Sequence, residues 1–155
     1  MDHAQEAEGL FLEGYNCAQS LFVAFRDVTG YDKAHAARLA SAFGGGIGRM
    51  REVCGAVSGM MMVLGLLYGY ETPGDDAAKK ELYQLVQAQA GAFRDQTGTI
   101  LCRELLKNAP SDPNPTPRTA EFYASRPCGR VIRLAARLLD DYIREHPPKE
   151  QPWKN

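Results

Sequence analysis

The sequence lacks the close cysteine pairs that mark most thiol and metal sites. It has four cysteines, Cys17, Cys54, Cys102 and Cys128, and none belongs to a Cys-x-x-Cys pair. That absence argues against a thioredoxin-like motif. With the wide separations, it also argues against structural zinc, whose ligands come in near pairs. No Cys-x-x-Cys-His is present, so no covalently attached haem is expected. A net excess of either charge is missing too. The net charge is -1, which points to neither nucleic acid nor an anionic membrane surface. The opening residues, Met1-Asp2-His3-Ala4-Gln5-Glu6, lack the basic and apolar regions of a signal peptide. A cytoplasmic, reducing location is therefore expected, where free cysteines favour metal binding or catalysis over a disulfide frame. No stretch alternates apolar and polar residues long enough for a strand, and no internal repeat is visible.

Two familiar motifs also fail. Gly44 and Gly46 begin a G-x-G, but Arg49 stands where the dinucleotide fingerprint needs glycine, and no strand precedes it. A helix stop with close packing is the expectation there. Ser58 is not in a G-x-S-x-G elbow, because Ala56 replaces the first glycine.

The 155 residues, 45% hydrophobic and 24% charged, suffice for one domain with a proper core. Residues 53–70 carry no charge. At about 18 residues the run is near the lower limit for a membrane span. Its glycines (Gly55, Gly59, Gly65, Gly69) and the charged segments around it favour a central buried helix. No membrane insertion is expected, and this helix should be the most buried element.

Helix signals dominate elsewhere. Residues 4–13 form a first candidate. Asn16 can cap a second over 17–28, and Asp32 a third over 33–43. Thr72-Pro73-Gly74-Asp75 is a turn and cap ahead of a helix over 76–95. Thr99 is a candidate cap for a short helix to Lys107. Four prolines in residues 108–117 exclude a helix there. A short piece over 119–124 precedes a last helix over 128–145, with Val131, Leu134, Ala135, Leu138, Leu139 and Tyr142 in one stripe. The reading is an all-α, single-domain helical bundle of four to six helices over 1–145. A proline-rich tail, 146–155, should order only if Trp153 docks. His3, His35 and His146 read as solvated, Met60, Met61 and Met62 as core filling, and Asp140-Asp141 as an exposed helix face.

Each cysteine starts a helix, and a returning segment separates each from the next. If neighbours are antiparallel, all four thiols gather at one end. Helix N-termini carry free N–H groups and partial positive charge, which favour thiolate, the metal ligand and nucleophile. Arg49, Arg51, Arg103, Arg126 and Arg130 lie beside the cysteines and could offset thiolate charge. All four thiols are therefore expected to be acidified.

These residues carry a family likeness. Cys54-Gly55-Ala56-Val57-Ser58-Gly59 matches CGAxxG. Gly14-Tyr15-Asn16-Cys17-Ala18 precedes it, Phe43-Gly44-Gly45-Gly46 lies between, and single cysteines follow at 102 and 128. The chain resembles the redox-active family named for its C, GCAxxG, C, C pattern, from about Ala7 to about Tyr142. The resemblance implies a small helical protein with four characteristic cysteines and a redox role. The family is similar to the helical iron–sulfur domain of certain haem cytochromes.

Three functions remain in view. The first is a redox protein holding an iron–sulfur cluster, of the two-iron type, for electron transfer or sensing. Its ligands would be Cys17, Cys54, Cys102 and Cys128, with Gly45, Gly46 and Gly55 giving backbone access to the sulfurs. The second is a thiol–disulfide protein using the same cysteines. The third is an interaction module in which the site holds zinc or nothing. The expected partners are a redox protein of unknown identity and a second copy in a homodimer.

Overall fold

Side-chain caps fix where most of the helices begin. The structure, a computed structural model, describes residues 2–149. Among these, the α-helices in chain order are α1 (His3–Leu12), α2 (Cys17–Ala24), α3 (Arg26–Thr29), α4 (Lys33–Ala40), α5 (Gly55–Tyr68), α6 (Asp76–Thr97), α7 (Cys102–Leu106), α8 (Ala120–Ser125) and α9 (Cys128–Glu145). Asn16 Oδ1 accepts from the Gln19 amide while Gln19 Oε1 accepts from the Asn16 amide, a reciprocal box at the start of α2. Asp2, Asp32, Asp75 and Thr119 cap α1, α4, α6 and α8 through single side-chain acceptors. The fold is all-α. The helices α3, α7 and α8 have 4, 5 and 6 residues, so six longer helices carry the bundle.

The core is built on α2, α5 and α9. The apolar run of residues 53–70 becomes α5, which contributes eight buried residues. The shorter α2 buries six of its eight residues, so it is the more completely enclosed of the two. Phe22, Phe25, Met60, Leu64, Phe93 and Ile132 are fully buried. By contrast α6 lies along the outside, and Phe93 is its one buried residue. No helix of the described residues is long and apolar enough to cross a membrane.

Helix direction follows from which positions meet. A Cβ on Gly55 would touch Cys17 and Ala18, and one on Gly59 would touch Ala18 and Leu21. Contacts that advance together along both chains mean that α2 and α5 run parallel. Along α1 and α9 they advance oppositely: His3 meets Asp140, and Glu8 meets Arg133. These directions leave the first residues of α2, α5 and α9 at one end.

Three expectations change. Residues 17–28 are not one helix: α2 ends at Phe25, whose buried ring stacks on His3 at 4.1 Å between centroids. Thr99 does not cap α7. Its hydroxyl accepts from the Leu101 amide, and α7 starts after Leu101 with no side-chain cap. His3 is not solvated. It is 7% exposed, with Nδ1 2.6 Å from Asp140 and Nε2 2.9 Å from Asp27. Two carboxylates facing both ring nitrogens recruit the histidine into the core. Asp140 is correspondingly a bonded residue and not a free face. The expectation that the tail orders only if Trp153 docks rests on a residue outside those described. The tail's first residue is tied down, with Tyr68 donating to the His146 carbonyl at 2.6 Å.

Candidate functional site

Cys17, Cys102 and Cys128 are the first residues of α2, α7 and α9, and Cys54 immediately precedes α5. All four are free thiols and line one cavity of about 350 Å³. Gly45, Gly46 and Gly55 lie on the same wall. Cys54, Cys102 and Cys128 are buried, and Cys17 is partly so.

Two local devices draw the thiols together. The first is the close approach of α5 to α2. A Cβ on Gly55 would sit 2.9 Å from the Ala18 nitrogen and 3.0 Å from Cys17 Cβ, so a larger residue would push Cys17 and Cys54 apart. The second is a short antiparallel pairing. The Cys54 amide donates to the Ile100 carbonyl at 2.8 Å, and the Cys102 amide to the Glu52 carbonyl at 2.7 Å. This isolated Val53–Leu101 bridge fixes Cys102 beside Cys54 and substitutes for the missing cap of α7.

The segment between α4 and α5 wraps the site in left-handed backbone. Ile47, Arg49 and Arg51 have φ of 66°, 67° and 60°. Non-glycine residues there cost roughly 1–2 kcal/mol each. Burial and bonding of the arginines oppose that cost. Arg51 is 4% exposed, with Nη1 3.6 Å from Cys102 Sγ and Nε donating to the Pro110 carbonyl at 3.0 Å. Arg49 donates to the Asp112 carbonyl and to Thr116 Oγ1, both at 2.8 Å. The proline-rich segment is thereby strapped over the cavity, where Pro113, Pro115 and Thr116 form part of the wall.

Arg49, Arg51, Arg118 and Arg126 all line the cavity, and no carboxylate does. Of the expected arginines, two are elsewhere. Arg103 pairs with Glu52 at 2.5 Å, and Arg130 is exposed outside the lining. Arg118 was not foreseen from sequence. It donates to the Phe11 and Tyr15 carbonyls and lies over the Phe11 ring. Its only sequence signal is a lone cation ending a proline-rich loop.

The thiols are not acidified together. Burial pushes Cys54 up to about 12, although the Ala56 and Val57 amides at the open end of α5 oppose it. Burial also raises Cys102, against the pull of Arg51. Cys17 and Cys128 act as a pair. Their interaction raises Cys17, with burial adding to the rise, and lowers Cys128. Arg126, Arg118 and Arg51 lower Cys128 further. Desolvation of the thiolate therefore outweighs helix termini and arginines at Cys54 and Cys102, while Cys17 is raised first by its interaction with Cys128 and then by burial. Cys128 is the exception, where the interaction with Cys17 and several guanidiniums converge.

The sequence matches, over residues 15–142, the family described as "Putative redox-active protein (C_GCAxxG_C_C)". The chain belongs to the C_GCAxxG_C_C family. No match was found among curated proteins or among solved structures. In this family member the motif reads Cys54-Gly55-Ala56-Val57-Ser58-Gly59, with cysteine ahead of glycine. Gly55 and Gly59 face α2, and Ala56 is fully buried. The motif is thus both a ligand-type residue and the small surface that sets the helix spacing. Among the described residues no group of three or more His, Cys, Asp or Glu side chains is drawn together closely enough to hold a metal ion. The donor set is four free thiols around one cavity with arginines in its wall.

Proposed function

We propose that this redox protein uses its four cysteines as one thiolate site and takes up a two-iron, two-sulfide cluster there, for electron transfer or sensing in a reducing, cytoplasmic setting. The observation that carries the reading is the convergence of Cys17, Cys54, Cys102 and Cys128, from four helix starts, on one arginine-lined cavity. Bound there, such a cluster supplies one-electron chemistry. The chain's own residues supply the rest. The four sulfurs are the ligands. Arg51 donates toward the Cys102 sulfur, and four guanidiniums offset thiolate charge. The glycines at 46 and 55 leave room for the thiols, and the strapped proline segment limits access of water. The thiols, which stand apart in the free protein, must draw inward to share a centre.

The test is anaerobic loading with iron and sulfide. Stoichiometric iron and sulfide, with visible absorption that reduction changes, support the reading. Uptake of zinc alone, or of no metal, contradicts it.

The placing of free Cys17 and Cys128 on one cavity wall, with their electrostatic coupling, favours a second reading, a dithiol that cycles to a disulfide. The two sulfurs join as two electrons and two protons pass to an oxidised disulfide of a redox partner, which leaves as a dithiol. Mass mapping after mild oxidation of metal-free protein should find Cys17 linked to Cys128. Random pairing among the four contradicts it.

A further inference from the structure

The cavity carries more positive charge than its sulfurs use. Its wall holds four arginines and no carboxylate. Four thiolates around an oxidised two-iron, two-sulfide core carry less negative charge than four guanidiniums carry positive.

Two of the four cations have donors to spare. Arg51 is 4% exposed, and its Nη2 is buried with no hydrogen-bond partner. An unmatched buried donor of this kind is costly, the more so when charged. Arg126, just before Cys128, has no hydrogen-bond or ion-pair partner among the described residues. Its guanidinium rests on the Phe122 ring, 4.5 Å from the centroid. Arg49 and Arg118, in contrast, spend their donors on backbone carbonyls.

We propose that the guanidinium side of the cavity, at Arg51 and Arg126, binds a small oxyanion: the carboxylate or phosphate group of a substrate or effector held against Cys102 and Cys128. Paired guanidinium forks recognise such groups with both charge and direction. The role given to the ligand rests on the four-thiol redox reading; the binding itself does not.

The test is isothermal titration of inorganic phosphate and of succinate at constant ionic strength, into reduced protein with and without iron and sulfide. At least one should bind saturably. Phosphate alone marks a phosphate-bearing ligand, and succinate alone a carboxylate. Arg126→Gln should weaken binding about tenfold, the scale of one charged hydrogen bond. Arg130→Gln, outside the lining, should bind as wild type. The proposal is overturned if neither anion saturates, if Arg126→Gln binds normally, or if Arg130→Gln loses as much. Anion binding without any cluster overturns the cluster reading alone. A cluster without anion binding overturns this one alone.

Discussion

Replacing Gly59 by alanine tests whether the CGAxxG motif sets the spacing between α2 and α5. The added Cβ would lie 2.9 Å from Leu21 Cβ and 3.0 Å from the Ala18 carbonyl oxygen. The carbonyl belongs to helix backbone and cannot swing aside. Overpacking of this kind costs about 1–3 kcal/mol. The substitution also gains helix propensity, about 1 kcal/mol for glycine to alanine. Gly65 is the matched control in the same helix, because a Cβ there meets nothing within 4 Å. Gly65→Ala should raise stability by about 0.5–1 kcal/mol. The propensity gain cancels between the two variants, so their difference isolates the packing cost. It should place Gly59→Ala roughly 2–12 °C below Gly65→Ala in melting temperature. Thermal melts followed by far-ultraviolet circular dichroism read this directly. A Gly59→Ala protein that melts at or above Gly65→Ala refutes the close crossing, and with it the reason Cys17 and Cys54 line the same cavity.

Other outcomes follow from the same geometry. Burial works against a charge on His3, but Asp140 and Asp27 outweigh it and raise its pKa above 6.5. Folding therefore favours the imidazolium. Its stabilisation is full below about pH 6.5 and is lost as pH rises through the folded value. The stability gap between wild type and His3→Gln, from urea titrations across this range, should shrink with rising pH; a constant gap contradicts the assignment. Gly46 has a φ of +71°, and a Cβ there would lie 2.7 Å from Cys102 Cβ. Gly46→Ala should displace Cys102 and lower iron uptake well below that of Gly65→Ala; equal uptake would show that Cys102 is not held by this contact.

The parts of the fold written in local chemistry were legible in the sequence. Asn16, Asp32 and Asp75 cap the helices their side chains announced. The four cysteines open helices at one end because turns precede each of them. What stayed hidden depends on contacts distant in sequence. His3 reads as a tail residue until Asp140, on α9, and Asp27, on α3, are seen beside it. The left-handed conformation of Ile47, Arg49 and Arg51 contradicts their residue types, so no propensity argument reaches it. The arginines could be placed near the cysteines, but not sorted. Arg103 turns out to Glu52, while Arg51 turns in to Cys102. The fall in thiol acidity at Cys54 and Cys102 is a burial effect, invisible until depth is known.

The central claim is that four cysteines make one redox site, and single replacements test it most directly. Cys17→Ser, Cys54→Ser, Cys102→Ser and Cys128→Ser should each be loaded with iron and sulfide under anaerobic conditions beside the wild type. The account predicts visible absorption and bound iron in the wild type, and a loss or a clear spectral change in all four variants. Absorption retained unchanged in any one variant, or no iron uptake by the wild type, would contradict it.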